Sequence, residues 1–72
     1  MTSTNEVRKR IDEKGLKLNY IARKLGISPY SLSLKLNNQN EFKSSEISIM
    51  CDILGITNLK EKEALFFSNE VD

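Results

Sequence analysis

Residues 19–37 read NYIARKLGISPYSLSLKLN, and this stretch decides the fold. Ile21, Ala22 and Leu25 recur at i, i+1 and i+4, the apolar face of a short helix. Gly26 supplies the backbone freedom to leave that helix, and Ile27 follows as an apolar plug. Ser28 is placed to accept a hydrogen bond from an otherwise unpaired amide at the start of a second helix. Pro29 sits at the first helical position, where a missing N–H costs nothing. Leu32 and Leu36 then face inward one turn apart, and Asn37-Asn38 ends the run. Small Ala22 gives the thin contact point that two steeply crossing helices need. The stretch predicts two short helices joined by a tight turn.

Working outward, Ser3 or Thr4 can cap a first helix, with Ser3 and Glu6 at capping-box spacing. Val7 and Ile11 are its inward residues and Gly15 its end. Leu16 and Leu18 bracket Lys17 as a hydrophobic staple, and Asn19 is the expected cap of the second helix. After Asn37 comes a polar loop anchored by Phe42, with Asn38 suited to a left-handed turn. A fourth helix runs from Ser44 or Ser45 to Leu54, its core stripe Ile47, Met50, Cys51 and Leu54, and Gly55 terminates it. Thr57 or Asn58 opens a fifth, with Asn58 and Glu61 again at capping-box spacing. Phe66 and Phe67 point about 100° apart on a helix, so one closes the core and the other is free for a partner. The expectation is an all-α, five-helix domain over residues 1–67, with an acidic tail over 68–72.

Seventy-two residues make one domain near the lower size limit for an unaided core. A single cysteine forms no internal disulfide and suits a reducing, cytoplasmic setting. No apolar run approaches the roughly 18 residues of a membrane span. The chain has no histidine, no metal-ligand cluster and no glycine-rich phosphate loop, which argues against an enzyme, a cofactor or a small-molecule substrate. Cys51, inside an apolar stripe and without a nearby base, reads as a small buried hydrophobe. Net charge is only +1, but residues 1–43 carry nine Lys/Arg against four Asp/Glu, and residues 44–72 two against six. A basic front and an acidic back would orient the molecule near a polyanion; solvated helix faces of uneven sign explain the same counts.

VRKRIDEKGLKLNYIARKLGISPYSLSLKLN followed by EFKSSEISIMCDILGI, with its helix spacing and LGIS turn, forms a helix-turn-helix and resembles the lambda-repressor/Cro family over residues 6–67. The short length and terminal ALFF are most similar to small regulators of temperate-phage switches, of the Cro-like or modulator-of-repression (antirepressor) type. The resemblance implies base-facing positions at the start and outer face of the third helix: Ser28, Pro29, Tyr30, Ser33, Leu34 and Asn37. It also implies phosphate contacts, for which Arg8, Arg10, Arg23, Lys24 and Lys35 are the candidates.

The third helix departs from a base-reading pattern, since Arg or Lys reads guanine and Asn or Gln reads adenine. It holds no Arg or Gln, and Lys35 lies near the Leu32–Leu36 face, a better phosphate contact than base reader. Leu34 is about 200° from Leu32, and Ile49 about 200° from Ile47, so both are expected to face outward. Three readings of Tyr30 and Leu34 stay open: thymine-methyl contact, scattered surface apolar residues, or a protein-binding patch. Tyr30, Leu34, Ile49, Phe66 and Phe67 are the interface candidates. The implied function is a phage-type switch regulator opposing the lysogenic repressor by forming a complex with it, with weak DNA binding of its own. The alternative is a Cro-like repressor that binds operator DNA directly as a dimer.

Overall fold

Apolar residues at helical spacing, punctuated by three glycines, build five helices: α1 (Thr4–Glu13), α2 (Leu18–Leu25), α3 (Pro29–Leu36), α4 (Ser44–Leu54) and α5 (Leu59–Phe66). The computed structural model describes residues 2–67, all of it helix, turn or loop. The acidic tail expected over 68–72 lies outside the described residues. The Cα radius of gyration is 11.2 Å, which matches the roughly 11 Å of a folded chain this long. The core joins Val7 and Ile11 of α1, Ile21, Ala22 and Leu25 of α2, and Leu32 and Leu36 of α3. Ile47, Met50, Cys51 and Leu54 of α4 and Leu65 and Phe66 of α5 complete it, with Phe42 and Ile56 from the loops. The Phe42 and Phe66 rings meet edge to face, 5.6 Å between centroids.

α2 and α3 are joined by Gly26, Ile27 and Ser28, with Gly26 left-handed at φ 73° and Ile27 half-buried against the core. The Gly26 and Ile27 N–H groups donate to Arg23 and Ala22 carbonyls, closing the end of α2. Asn38, at φ 60°, takes the left-handed turn after α3. Its side chain also exchanges two hydrogen bonds with the backbone of Thr2, 3.2 Å from the Thr2 N–H and 2.8 Å to the Thr2 carbonyl. The N-terminal residues thereby fasten to the end of α3.

Several expected caps take other partners. Ser3 is the N-cap of α1, but its hydroxyl makes no capping bond. It donates instead to the Ala64 carbonyl at 3.1 Å, and the Ser3 N–H donates to Leu65 at 2.7 Å, tying the start of α1 to the end of α5. α2 begins one residue before Asn19, with Lys17 as N-cap, because the Lys17 carbonyl already accepts from the Tyr20 and Ile21 N–H groups. Asn58 does cap α5, accepting from the Lys60 and Glu61 N–H groups. Glu61 does not reciprocate; its carboxylate meets Arg10 at 2.6 Å. Leu18, expected to staple, is exposed at the start of α2, whereas Leu16 packs on the core.

Candidate functional site

Helical spacing places Tyr30, Ser33, Leu34 and Asn37 on one ridge of α3 at i, i+3, i+4 and i+7. Ser28 and Pro29 stand exposed at its entry. The Ser28 hydroxyl oxygen accepts from the Ser31 N–H at 3.1 Å, so this side chain is committed to starting the helix. Tyr30 is 72% exposed, the largest exposure among the bulky apolar and aromatic side chains of the described residues. Ser33 and Leu34 are half-buried, so Leu34 offers only part of the surface that the sequence suggested. Asn37, the C-cap, is exposed, and its Oδ1 accepts from Arg8 Nη2 at 2.9 Å. α1 thus reaches the far end of the α3 ridge.

Lys35 is not on that surface, which corrects the expectation that it contacts phosphate. It is 7% exposed, and its ammonium lies 2.6 Å from the Glu46 carboxylate of α4. It also donates to the Glu41 carbonyl at 3.3 Å and stands 5.9 Å from the centre of the Phe42 ring. The Lys43 N–H donates to the same Glu46 oxygen at 2.8 Å. Burial raises the Glu46 pKa, but the Lys35 ammonium and the Lys43 N–H outweigh it and hold the carboxyl below its ordinary value. Glu46 is given no role in the sequence reading. The signal was present in the spacing: Glu46 lies four residues before Met50, and Lys35 three after Leu32, each on a buried stripe.

The remaining cations divide by partner. Arg10, expected at phosphate, is held by Glu61 of α5, and that hydrogen bond is the main cause of its raised pKa. Arg23 and Lys24 are exposed on α2, with the Lys24 ammonium 5.6 Å from the Tyr20 ring centre. Arg8, Arg23 and Lys24 have no carboxylate partner among the described residues.

One interface candidate is withdrawn by burial. Phe66 is 3% exposed against Phe42, because its direction along α5 points into the core. Ile49, like Leu34, is half-buried, and it packs on the core cluster, so it offers only part of its surface to a partner. Phe67 is the aromatic left outside, 51% exposed. With Leu59, Ile47, Ser44, Lys62 and Glu63 it lines a shallow groove of about 330 Å³ between α4 and α5. The groove does not include α3.

Cys51 is buried, and that burial pushes its thiol up, away from a reactive thiolate. Among the described residues no three His, Cys, Asp or Glu side chains gather as a metal site, and no helix is long and apolar enough to cross a membrane.

Fold and surface together define a small all-helical protein with an uncharged ridge on one helix and Arg8 of α1 at the end of that ridge. A family model described as a protein of unknown function, DUF739, matches residues 4–70, and the chain belongs to that family. No curated protein and no solved structure matches it.

Proposed function

We propose that this chain is a helix-turn-helix regulator of the lambda-repressor/Cro type, with α2 and α3 as the two helices. It acts in a phage genetic switch and opposes the lysogenic repressor by binding that protein. One observation carries the choice of partner: the withdrawal of Lys35 into its pair with Glu46 leaves the α3 ridge without a charge of its own. Base reading relies on Arg, Lys, Asn or Gln aimed at base edges. Here the ridge presents a tyrosine, a serine and a half-buried leucine, and its asparagine is engaged by Arg8. An exposed aromatic beside apolar surface is the usual anchor of a protein interface.

Direct operator binding is the second reading, favoured by Arg23 and Lys24 on α2, exposed and without a carboxylate partner among the described residues. A gel-shift titration at two salt concentrations, with and without the repressor of the same switch, separates the two. The protein–protein reading expects no shift from this chain alone, a changed repressor shift, and loss of that change in Tyr30→Ala. A specific shift by the chain alone, abolished by Ser33→Ala or Tyr30→Ala, overturns it in favour of the operator reading.

A further inference from the structure

The chain has two arginines on α1 with half-buried side chains, and their partners differ. Arg10 is neutralised by a carboxylate, Glu61 at 2.6 Å. Arg8 is bonded to a neutral amide, Asn37 Oδ1 at 2.9 Å, and no carboxylate pairs with it among the described residues. The hydrogen bond uses the acceptor of Asn37, and its Nδ2 hydrogens and the remaining Arg8 N–H groups meet no acceptor among the described residues. The corner where α1 meets the end of α3 is therefore rich in donors, and its positive charge has no carboxylate within ion-pair distance among the described residues, although Asp12, one turn along α1, lines the same surface hollow. It continues the ridge that begins at exposed Tyr30, seven residues earlier.

We propose that the Arg8–Asn37 corner receives a carboxylate side chain of the partner protein, while Tyr30 and Leu34 take the apolar surface next to it. The inference rests on the protein-binding function proposed above and names the chemistry of that partner's contact. Two planar groups, a guanidinium and a carboxamide, offer N–H donors suited to a planar two-oxygen acceptor, and charge-assisted pairs of this kind are short and strong. A phosphate also accepts from such donors, but the adjoining ridge is uncharged, which suits a protein surface better than a nucleic-acid backbone. Arg8 supplies the charge, and Asn37 both orients it and donates beside it. The other α1 arginine cannot substitute, since Glu61 already occupies it.

The test compares the wild type with Arg8→Gln, Arg8→Lys and Asn37→Asp. Arg8→Gln removes the charge and keeps a polar side chain. Asn37→Asp supplies an internal carboxylate that fills the corner without disturbing the core, because the site is at the surface. Affinity for the purified repressor is measured by calorimetry, binding to operator duplex by fluorescence anisotropy, and folding by thermal melts. The expected result is a loss of repressor affinity of tenfold or more in Arg8→Gln and Asn37→Asp, and a smaller loss in Arg8→Lys, with melting unchanged or raised. Unchanged repressor affinity in both Arg8→Gln and Asn37→Asp overturns this inference and leaves the proposed function standing. Loss confined to the duplex assigns the corner to phosphate and overturns it too. No repressor binding by the wild type overturns both.

Discussion

Replacing Lys35 with methionine separates a structural role for this residue from a nucleic-acid contact. Methionine keeps most of the volume and removes the cation, so the Glu46 carboxylate, 5% exposed, loses its 2.6 Å partner and keeps only the Lys43 N–H. Breaking a buried pair from one side costs about 3–5 kcal/mol. The surviving backbone donor places this case near ~3 kcal/mol. A 72-residue domain holds about 4–11 kcal/mol in all, and such a loss lowers the melting temperature by about 12–24 °C. The pH dependence is diagnostic. In the wild type the Glu46 pKa is depressed, so its stabilisation is full above the ordinary value of 4.5 and is lost as pH falls through the lower folded value. Without Lys35, only Lys43 opposes the burial cost of the charged carboxylate, so Glu46→Gln or acidification relieves the penalty. Urea unfolding at pH 7, 5.5 and 4.5 follows both chains. The penalty of Lys35→Met should shrink as pH falls, and Lys35→Met/Glu46→Gln should recover much of the loss at pH 7. A cost below about 1 kcal/mol at pH 7 with no dependence on pH refutes the buried-pair account.

The adjacent phenylalanines should part company: Phe66→Ala costs about 3–5 kcal/mol, whereas Phe67→Ala, with its ring half exposed, stays within about 0.5 kcal/mol in the same denaturation assay. Tyr30→Ala should leave the thermal melt within about 2–4 °C while weakening repressor binding by tenfold or more in calorimetry; a large loss of stability would show that Tyr30 supports the fold. Arg10→Ala, which removes a partly exposed pair with Glu61, should cost less than about 1 kcal/mol and leave any salt dependence of DNA binding unchanged. Arg23→Ala, by contrast, should reduce the slope of log affinity against log salt by about one if DNA is bound, as read by anisotropy at several salt concentrations.

The five helices and their inward faces were legible in the sequence because they rest on local chemistry. Spacing of Val7 and Ile11, or of Met50, Cys51 and Leu54, follows from 3.6 residues per turn whatever the helix packs on. The left-handed turns at Gly26, Gly55 and Asn38 follow from the short list of residues that tolerate positive φ. The Ser28-Pro29 start of α3 is equally local.

What only the tertiary structure decided was where long side chains end and what covers each surface. Lys35 carries its charge several bonds from the backbone, and whether that charge meets solvent or Glu46 depends on where the fold sets the start of α4 relative to α3. The same holds for Arg10 and Glu61, fifty-one residues apart, and for Arg8 and Asn37. Ser3 shows the limit for short polar groups too: a capping sequence was present, but packing brought the Ala64 carbonyl within reach and its hydroxyl went there. Ile49 faces outward on an isolated helix and is half-buried in the domain, because neighbouring elements define outside. Backbone conformation is set within a few residues, whereas the charge and exposure of a surface are set by every element that reaches it.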